Sequence, residues 1–220
     1  MTAMNEQVRR TMENLKKNRY EVKFVETKEE VPPMIREMIP EGSVVGSGGS
    51  LSLVESGVMD LLRSGRYHYL DRFNEDITPE EREEIGHKAH SADFFLCSSN
   101  AVVESGCLYN VDGNSNRITS IVYGPKKVIM VVSVNKIVKT LEDAVYRVKS
   151  YVAPKNCARA GFKTYCATEG VCVALKTKEK PGMTDGCDSP GRSCCNHLVS
   201  THQRVPDRIC VILVGEPLGL

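Results

Sequence analysis

Four of the nine cysteines in this 220-residue chain fall at Cys166, Cys172, Cys187 and Cys194, in CATEGVCVALKTKEKPGMTDGCDSPGRSC. Five, fourteen and six residues separate them. Two such pairs joined by a longer loop can bring four thiolates around one centre. Structural zinc sites typically space each pair by two to four residues, so the match to that pattern is loose. Compact ferredoxin spacing is absent, although iron–sulfur clusters also take four thiolates. A calcium or magnesium site is excluded by sulfur ligation. The segment therefore predicts one sulfur-ligated centre, with disulfide or thiol redox chemistry and plain packing as alternatives. Gly170, Gly182, Gly186 and Pro190 supply its bends. Cys195, His197 and His202 stand close enough in sequence to replace one ligand. Cys97 and Cys210 lie inside apolar strands and read as core residues. Cys107 and Cys157 carry no sequence mark of a lowered pKa.

Two polar turns offer different chemistry. In VVGSGGSLSLVESG a strand runs through Gly46, Ser47, Gly48, Gly49 and Ser50 into a helix. Glycines permit close approach there, and the N–H groups and hydroxyls can cradle a carboxylate or phosphate. A tight strand-to-helix turn explains the same letters. No GK[ST] follows, and the last glycine of GxGxxG is missing, so no nucleotide fingerprint is present. The second turn, SSNAVVESGCLYNVDGNSNR, gathers Ser98, Asn100, Glu104, Asn110, Asp112, Asn116 and Arg117 after an apolar strand. Such density suits a pocket at the carboxyl ends of parallel strands. Glu104 is the candidate base or nucleophile, and a helix-start glutamate satisfying free N–H groups accounts for it equally. Arg117 and Lys136 can supply charge to a small anionic metabolite.

These residues need elements to position them. Val8, Met12 and Leu15 recur at helical spacing, and YEVKFV alternates as a strand. Thr27 with Glu30 forms a capping box before a helix over 31–38. SVVG is a strand, LSLVESGVMDLLRSG a helix broken at Gly57, YHYLDRF a strand, and Thr78-Pro79 starts a helix reaching about Ser91. DFFLCSS is a strand, and the residues around Asp112-Gly113 read as a hairpin. KKVIMVVSV is apolar throughout, as a central strand covered on both faces requires. A long helix with Ile137, Leu141, Val145 and Val148 as its stripe stops before Pro154. Periodicity vanishes over 157–204 and returns in RICVILVGE. This alternation predicts one α/β domain over 1–220, a mostly parallel sheet with helices on both faces. The cysteine-rich segment, 157–204, is an irregular insertion before the last strand.

Composition bounds the partners. The chain is 41% hydrophobic and 26% charged, an ordinary folded composition, and 29 Lys and Arg against 28 Asp and Glu leave a charge of +1. No basic excess advertises nucleic acid. The charged start, MTAMNEQVRRTMENLKKNRY, reads as no signal peptide, and the apolar runs are too short to span a membrane. A cytoplasmic protein is the expectation, and in that reducing compartment clustered cysteines signify metal or redox chemistry more than disulfides.

GSGGSLSLVESG, NVDGNSNR, the NKIV after the central strand and RICVILVGEPLGL, in this order, resemble the LUD-domain (lactate utilisation) family beyond about residue 25. The resemblance implies an α/β fold similar to the sugar-phosphate isomerase and CoA-transferase superfamily. Some members of the family belong to an iron–sulfur system oxidising lactate to pyruvate, which places an iron–sulfur cluster ahead of zinc as the cofactor. The family's glycine-rich turn falls on Gly46 to Ser50, its helix-start glutamate on Glu55, and its lysine after the central strand on Lys136. Stand-alone relatives carry a compact four-cysteine tail, matched here by Cys166, Thr168, Gly170, Cys172, Cys187, Ser189, Pro190, Arg192 and Cys194, with Asn196 shifted by Cys195. Where those relatives have two residues between the middle cysteines, this chain has fourteen. Two functional classes stay open. One is an enzyme or electron-transfer protein with a redox protein partner; the other is an accessory metabolite-binding protein with zinc or free cysteines. A homo-oligomer is compatible with either.

Overall fold

The computed structural model describes residues 5–220; the first four residues, part of the start read above as no signal peptide, lie outside them. The chain opens with α1 (Glu6–Lys17), β1 (Glu21–Val25), α2 (Val31–Met38) and β2 (Val44–Ser47). Then come α3 (Leu51–Glu55), α4 (Val58–Arg63), β3 (His68–Leu70), α5 (Pro79–Lys88) and β4 (Phe94–Cys97). Next are β5 (Ala101–Val103), β6 (Cys107–Asp112), α6 (Asn116–Val122), β7 (Lys127–Ser133) and β8 (Ile137–Val138). The last part holds α7 (Leu141–Arg147), α8 (Ala153–Arg159), α9 (Tyr165–Glu169), α10 (Ala174–Thr177), β9 (Asn196–Ser200) and β10 (Ile209–Val214).

Six strands form an all-parallel sheet in the order β1-β10-β7-β4-β2-β3. The expected α/β class with a parallel sheet is therefore present. Side chains of a strand alternate between faces, and the apolar runs use both. Ile129, Val131, Cys210 and Ile212 pack with Val31, Ile35, Leu53 and Leu62 from α2, α3 and α4. Val128, Met130, Val132, Val211 and Leu213 pack on the other face with Val8 and Leu15 of α1 and Ile121 of α6. Uninterrupted apolar strands are what a sheet covered on both sides demands.

A second sheet, β8-β5-β6-β9, was not anticipated. Its hairpin turns at Glu104–Gly106 between β5 and β6, not at Asp112-Gly113. The reason is local: Asp112 Oδ2 accepts the Ile118 N–H at 2.8 Å, so the chain after β6 turns into α6 instead of a returning strand. The segment over 157–204 is also less irregular than expected. It holds part of α8, then α9, α10 and β9, and β9 pairs antiparallel with β6, His197 opposite Val111 and Asn196 opposite Asp112.

The long helix differs at both ends. Ile137 and Val138 form β8, and Thr140 caps α7 through a capping box with Asp143. The helix does not stop before Pro154. A π-helical turn over Val148–Val152 leads directly into α8, and this wider turn accommodates Pro154, whose missing N–H interrupts the helical ladder there. Ala144, Val145, Val148 and Val152 of this bent rod pack on Ala101, Val103 and Tyr109 of the second sheet. No helix among the described residues is long and apolar enough to cross a membrane.

Candidate functional site

β2, β4 and β7 are neighbours in the sheet, and their carboxyl ends release three loops side by side. Ligands of open α/β sheets bind at such strand ends. The loop after β2 reaches Ser52 through Gly48, Gly49 and Ser50, whose hydroxyl caps α3 by accepting the Leu53 N–H. The loop after β4 carries Ser98, and the turn after β7 carries Lys136. The Lys136 ammonium nitrogen lies 2.9 Å from Ser52 Oγ and 3.1 Å from Ser98 Oγ. The residue is 3% exposed, and it joins no ion pair among the described residues. Burial, helped by the positive charges of Arg147 and Arg117, lowers its pKa to about 7.

These groups line a cavity of about 150 Å³ together with Gly49, Ser50, Asn100, Asp112 and Arg117. Its opposite wall comes from the bent helix and the cysteine segment: Val152, Asn156, Arg159, Ser193 and Cys194. A wider groove of about 510 Å³ continues past Asn116 to Arg72, Phe73, Phe162 and Arg192.

Arg117 has a different role from the one its charge suggests. Its Nε donates to Asp112 Oδ1 at 2.9 Å, and Nη1 donates to the Ser98 carbonyl at 2.9 Å and to Asn110 Oδ1 at 2.6 Å. Nη2 donates to Asn100 Oδ1, Asp112 Oδ1 and the Val111 carbonyl. Every nitrogen of the fork is engaged, so Arg117 fastens the two polar loops together and has little left for an anion. Gly48 permits this: a Cβ there would sit 3.1 Å from Arg117 Cδ.

Gly46 and Ser47 are displaced from the expected cradle. Gly46 lies within the sheet, where a Cβ would meet Ala89 Cβ at 2.8 Å, and Ser47 Oγ bonds Tyr69 Oη at 2.7 Å. Asn110 is fully buried beneath Arg117. Glu104 is the clearest correction. It sits in the β5–β6 turn facing α1, where its carboxylate accepts from Gln7 Nε2 at 2.7 Å and from Arg10 Nη2 at 2.7 Å. Those bonds hold its pKa below the usual value. It does not line the cavity, and a base or nucleophile must reach substrate. Glu55 Oε2 is occupied by the Gly219 N–H at 2.7 Å.

Two residues of α8 were missed. Asn156 and Arg159 stand three apart on one helix face at the cavity mouth, and among the described residues Arg159 Nη2 donates only to Asn156 Oδ1, at 2.8 Å. Recognising that a π-helical turn can carry a helix past a proline would have exposed them. Ser52 was also missed, lying one turn beyond the glycines.

Behind the same wall is a second, smaller cavity of about 20 Å³. Cys166, Cys172, Cys187 and Cys194 all line it, with Tyr109, Lys149 and His197. The four cysteines separated widely in sequence thus meet around one space. Cys166 and Cys172 come from α9 and the turn after it, and both are buried. The other two ride on a loop that Lys149 and Arg192 tie down. Lys149 donates to the Met183 and Asp185 carbonyls, and Arg192 donates to those of Thr184, Cys187 and Cys194. A Cβ at Gly186 would fall 2.7 Å from Arg192 Cζ, so a side chain there would shift the guanidinium from its present position.

The thiols differ. Burial pushes Cys166 up to about 11. At Cys187 burial acts in the same direction, but hydrogen bonds from Ser189 and the Arg192 charge outweigh it and bring the thiol below its ordinary value. His197 Nδ1 pairs with Tyr109 Oη at 2.7 Å, and its buried Nε2 has no partner. Burial, then Lys149 and Arg192, lower its pKa below the ordinary histidine value, which favours the neutral form that ligates metal. Cys195 points out and bonds the Arg192 carbonyl, and His202 is exposed, so neither faces the cavity. Among the described residues no three His, Cys, Asp or Glu side chains already stand in a metal-holding arrangement. The donor types and the orphaned imidazole fit a thiolate centre, and the sulfurs must draw together to close it.

Among curated proteins none matches this chain. A crystal structure of a DUF162 family protein from Deinococcus radiodurans superposes with a TM-score of 0.50 at 15% identity, over 95% of this chain and 96% of that one. At that identity the likeness speaks for the fold. The family model of the LUD domain matches residues 8–214, and the chain belongs to the LUD-domain family.

Proposed function

We propose that this protein binds a small organic carboxylate of the lactate–pyruvate class in the cavity above Lys136, beside a four-cysteine centre. The observation that carries the reading is the shared wall: Cys194, Val148 and Ala153 line both the anion cavity and the cysteine cavity. Arg159 and Asn156 take the carboxylate at the mouth, because Arg117 has its donors committed to Asp112, Asn110, Asn100 and Ser98. Ser52, Ser98 and Lys136 form a polar floor that orients the other end of the ligand. Val148 and Val152 add an apolar patch to the cavity wall.

Cys166, Cys172, Cys187 and Cys194 would hold the centre, with His197 Nε2 as a fifth donor within the cavity lining. A bound iron–sulfur group would supply one-electron transfer. Family context favours iron–sulfur for this reading, whereas the present volume of about 20 Å³ accommodates one ion-sized species. That space favours a second reading, a single thiolate-bound zinc or iron ion with a structural role.

Calorimetric titration with lactate, pyruvate and inorganic phosphate tests the pocket, with Arg159→Ala beside the parent chain. Saturable carboxylate binding that Arg159→Ala weakens supports it, and no saturable binding to any of the three refutes it. Iron, zinc and acid-labile sulfide measured on anaerobically prepared protein decide between the two centres.

A further inference from the structure

We infer that Lys136 is a nucleophilic amine that condenses with the carbonyl carbon of a small 2-oxo acid to form an imine. The inference rests on the carboxylate-pocket reading and adds a covalent step to it.

Lys136 Nζ forms part of the cavity floor, between two hydroxyls that can each donate or accept: Ser52 Oγ at 2.9 Å and Ser98 Oγ at 3.1 Å. A lysine that serves as a charge anchor is normally met by a carboxylate. Here the charged groups around the amine are Arg117, Arg147 and Glu55. Arg117 is consumed by Asp112, Arg147 donates to the Asn100 carbonyl, and Glu55 is turned to the Gly219 N–H. No ion pair among the described residues includes Lys136. Two cations and a nearly dry site disfavour a third cation, so the amine keeps its lone pair close to neutral pH. Desolvation beside other cations is a known way to activate a lysine.

The cavity suits a ligand of pyruvate size. At about 150 Å³ it takes a few heavy atoms, and its one incompletely used guanidinium, Arg159, sits at the mouth while the amine sits at the floor. A 2-oxo acid held by its carboxylate at the mouth directs its carbonyl inward. The step balances without an oxidant or a reductant. The Nζ lone pair forms the C–N bond, the carbonyl oxygen takes a proton and becomes the carbinolamine hydroxyl, and that hydroxyl leaves as water as the C=N bond forms. Ser52 and Ser98 are placed to pass the protons between nitrogen and oxygen.

Incubation with pyruvate and cyanoborohydride at pH 7 traps such an imine as a stable secondary amine. With a pKa of about 7, half of Lys136 is free amine at that pH, a fraction on the order of a thousandfold larger than for an ordinary lysine. The expected result is one reduced pyruvate adduct per chain, mapped by peptide mass spectrometry to Lys136, with none from lactate, which has no carbonyl. Lys136→Met should lose the adduct. Because the mapping is done on the unaltered protein, the test survives a variant that fails to fold. No adduct, or adducts spread over exposed lysines, overturns the inference. If lactate binds calorimetrically while pyruvate is never trapped, the amine role falls and the pocket stands. If neither acid binds, both fall.

Discussion

Replacing Arg117 separates a structural arginine from a ligand-binding one. Its side chain and that of Asp112 are 12% and 9% exposed, and the pair is closed at 2.6 Å. Arg117→Ala strips the positive partner from a nearly buried carboxylate and leaves the Ser98 and Val111 carbonyls and the Asn100 and Asn110 amide oxygens short of a donor. Removing one member of a buried, hydrogen-bonded pair costs about 3–5 kcal/mol. For a chain of this length each kcal/mol moves Tm by roughly 2–4 °C, which predicts a fall of about 6–20 °C without any ligand present. Arg117→Lys keeps the charge but not the planar fork, so it should recover only part of the loss. Scanning calorimetry of the two variants, with and without lactate, reads this directly. Arg159→Ala is the converse case: Tm should stay within about 2 °C because the side chain is exposed, while carboxylate affinity falls roughly 10- to 100-fold for one charge-assisted contact. An Arg117→Ala protein that melts like its parent but no longer binds lactate would refute the assignment of Arg117 as a fastener.

Other outcomes follow from the same geometry. Lys136 has a folded pKa of about 7 against an ordinary 10.5, so between those values the unfolded chain holds a proton that the folded chain has released. Its ionisation penalty is therefore full below pH 7 and relieved as pH rises, and stability should climb by up to about 1.4 kcal/mol per pH unit relative to Lys136→Met. Equal urea-unfolding free energies for the two proteins across that window contradict this. Cys187→Ser should leave less than about 0.2 metal per chain after anaerobic reconstitution, as elemental analysis will read, whereas full occupancy assigns the ligand elsewhere. Gly186→Ala should push the Arg192 guanidinium off its three carbonyls at a cost of about 1–3 kcal/mol. Amide exchange should then quicken over 184–195 and not in β7 or β10; unchanged protection in that loop rules the argument out.

The central sheet was legible because KVIMVVS and ICVILV are apolar on both faces, and only a strand between two helical layers needs that pattern. The second sheet was not. β5 and β8 have three and two residues, too few for a period to register, and β9 is built from NHLVS inside a polar segment. Long-range pairing with β6 makes β9 a strand, not its own propensity. The site divides in the same way. Gly49, Ser50, Asn100, Asp112 and Lys136 were visible as polar residues following apolar strands. That Arg117 would spend its whole fork on loops five to nineteen positions away was not, since saturation of a donor depends on tertiary partners. Glu104 misled for a related reason: its letters fit a helix start, and the hairpin turned it toward Arg10 instead. The convergence of four cysteines was readable as a cluster, although the fourteen-residue spacer gave no hint that Lys149, on a distant helix, would tie it down.

Asp112 explains why two sites of such different chemistry share a wall. Its carboxylate holds Arg117 and the start of α6, and Arg117 in turn holds the Ser98 carbonyl beside the larger cavity. Its backbone carbonyl accepts the Cys195 N–H at 3.1 Å, the first bond after the last two cysteines, and Asn196 opposite it begins β9. One residue at the end of β6 therefore holds Arg117, in the lining of the larger cavity, with its side chain and the cysteine loop with its main chain. The β6–β9 pairing that joins these contacts lies in the four-stranded sheet, outside the six-stranded layer. The cysteine-rich segment thus contributes Ser193 and Cys194 to the lining of the larger cavity.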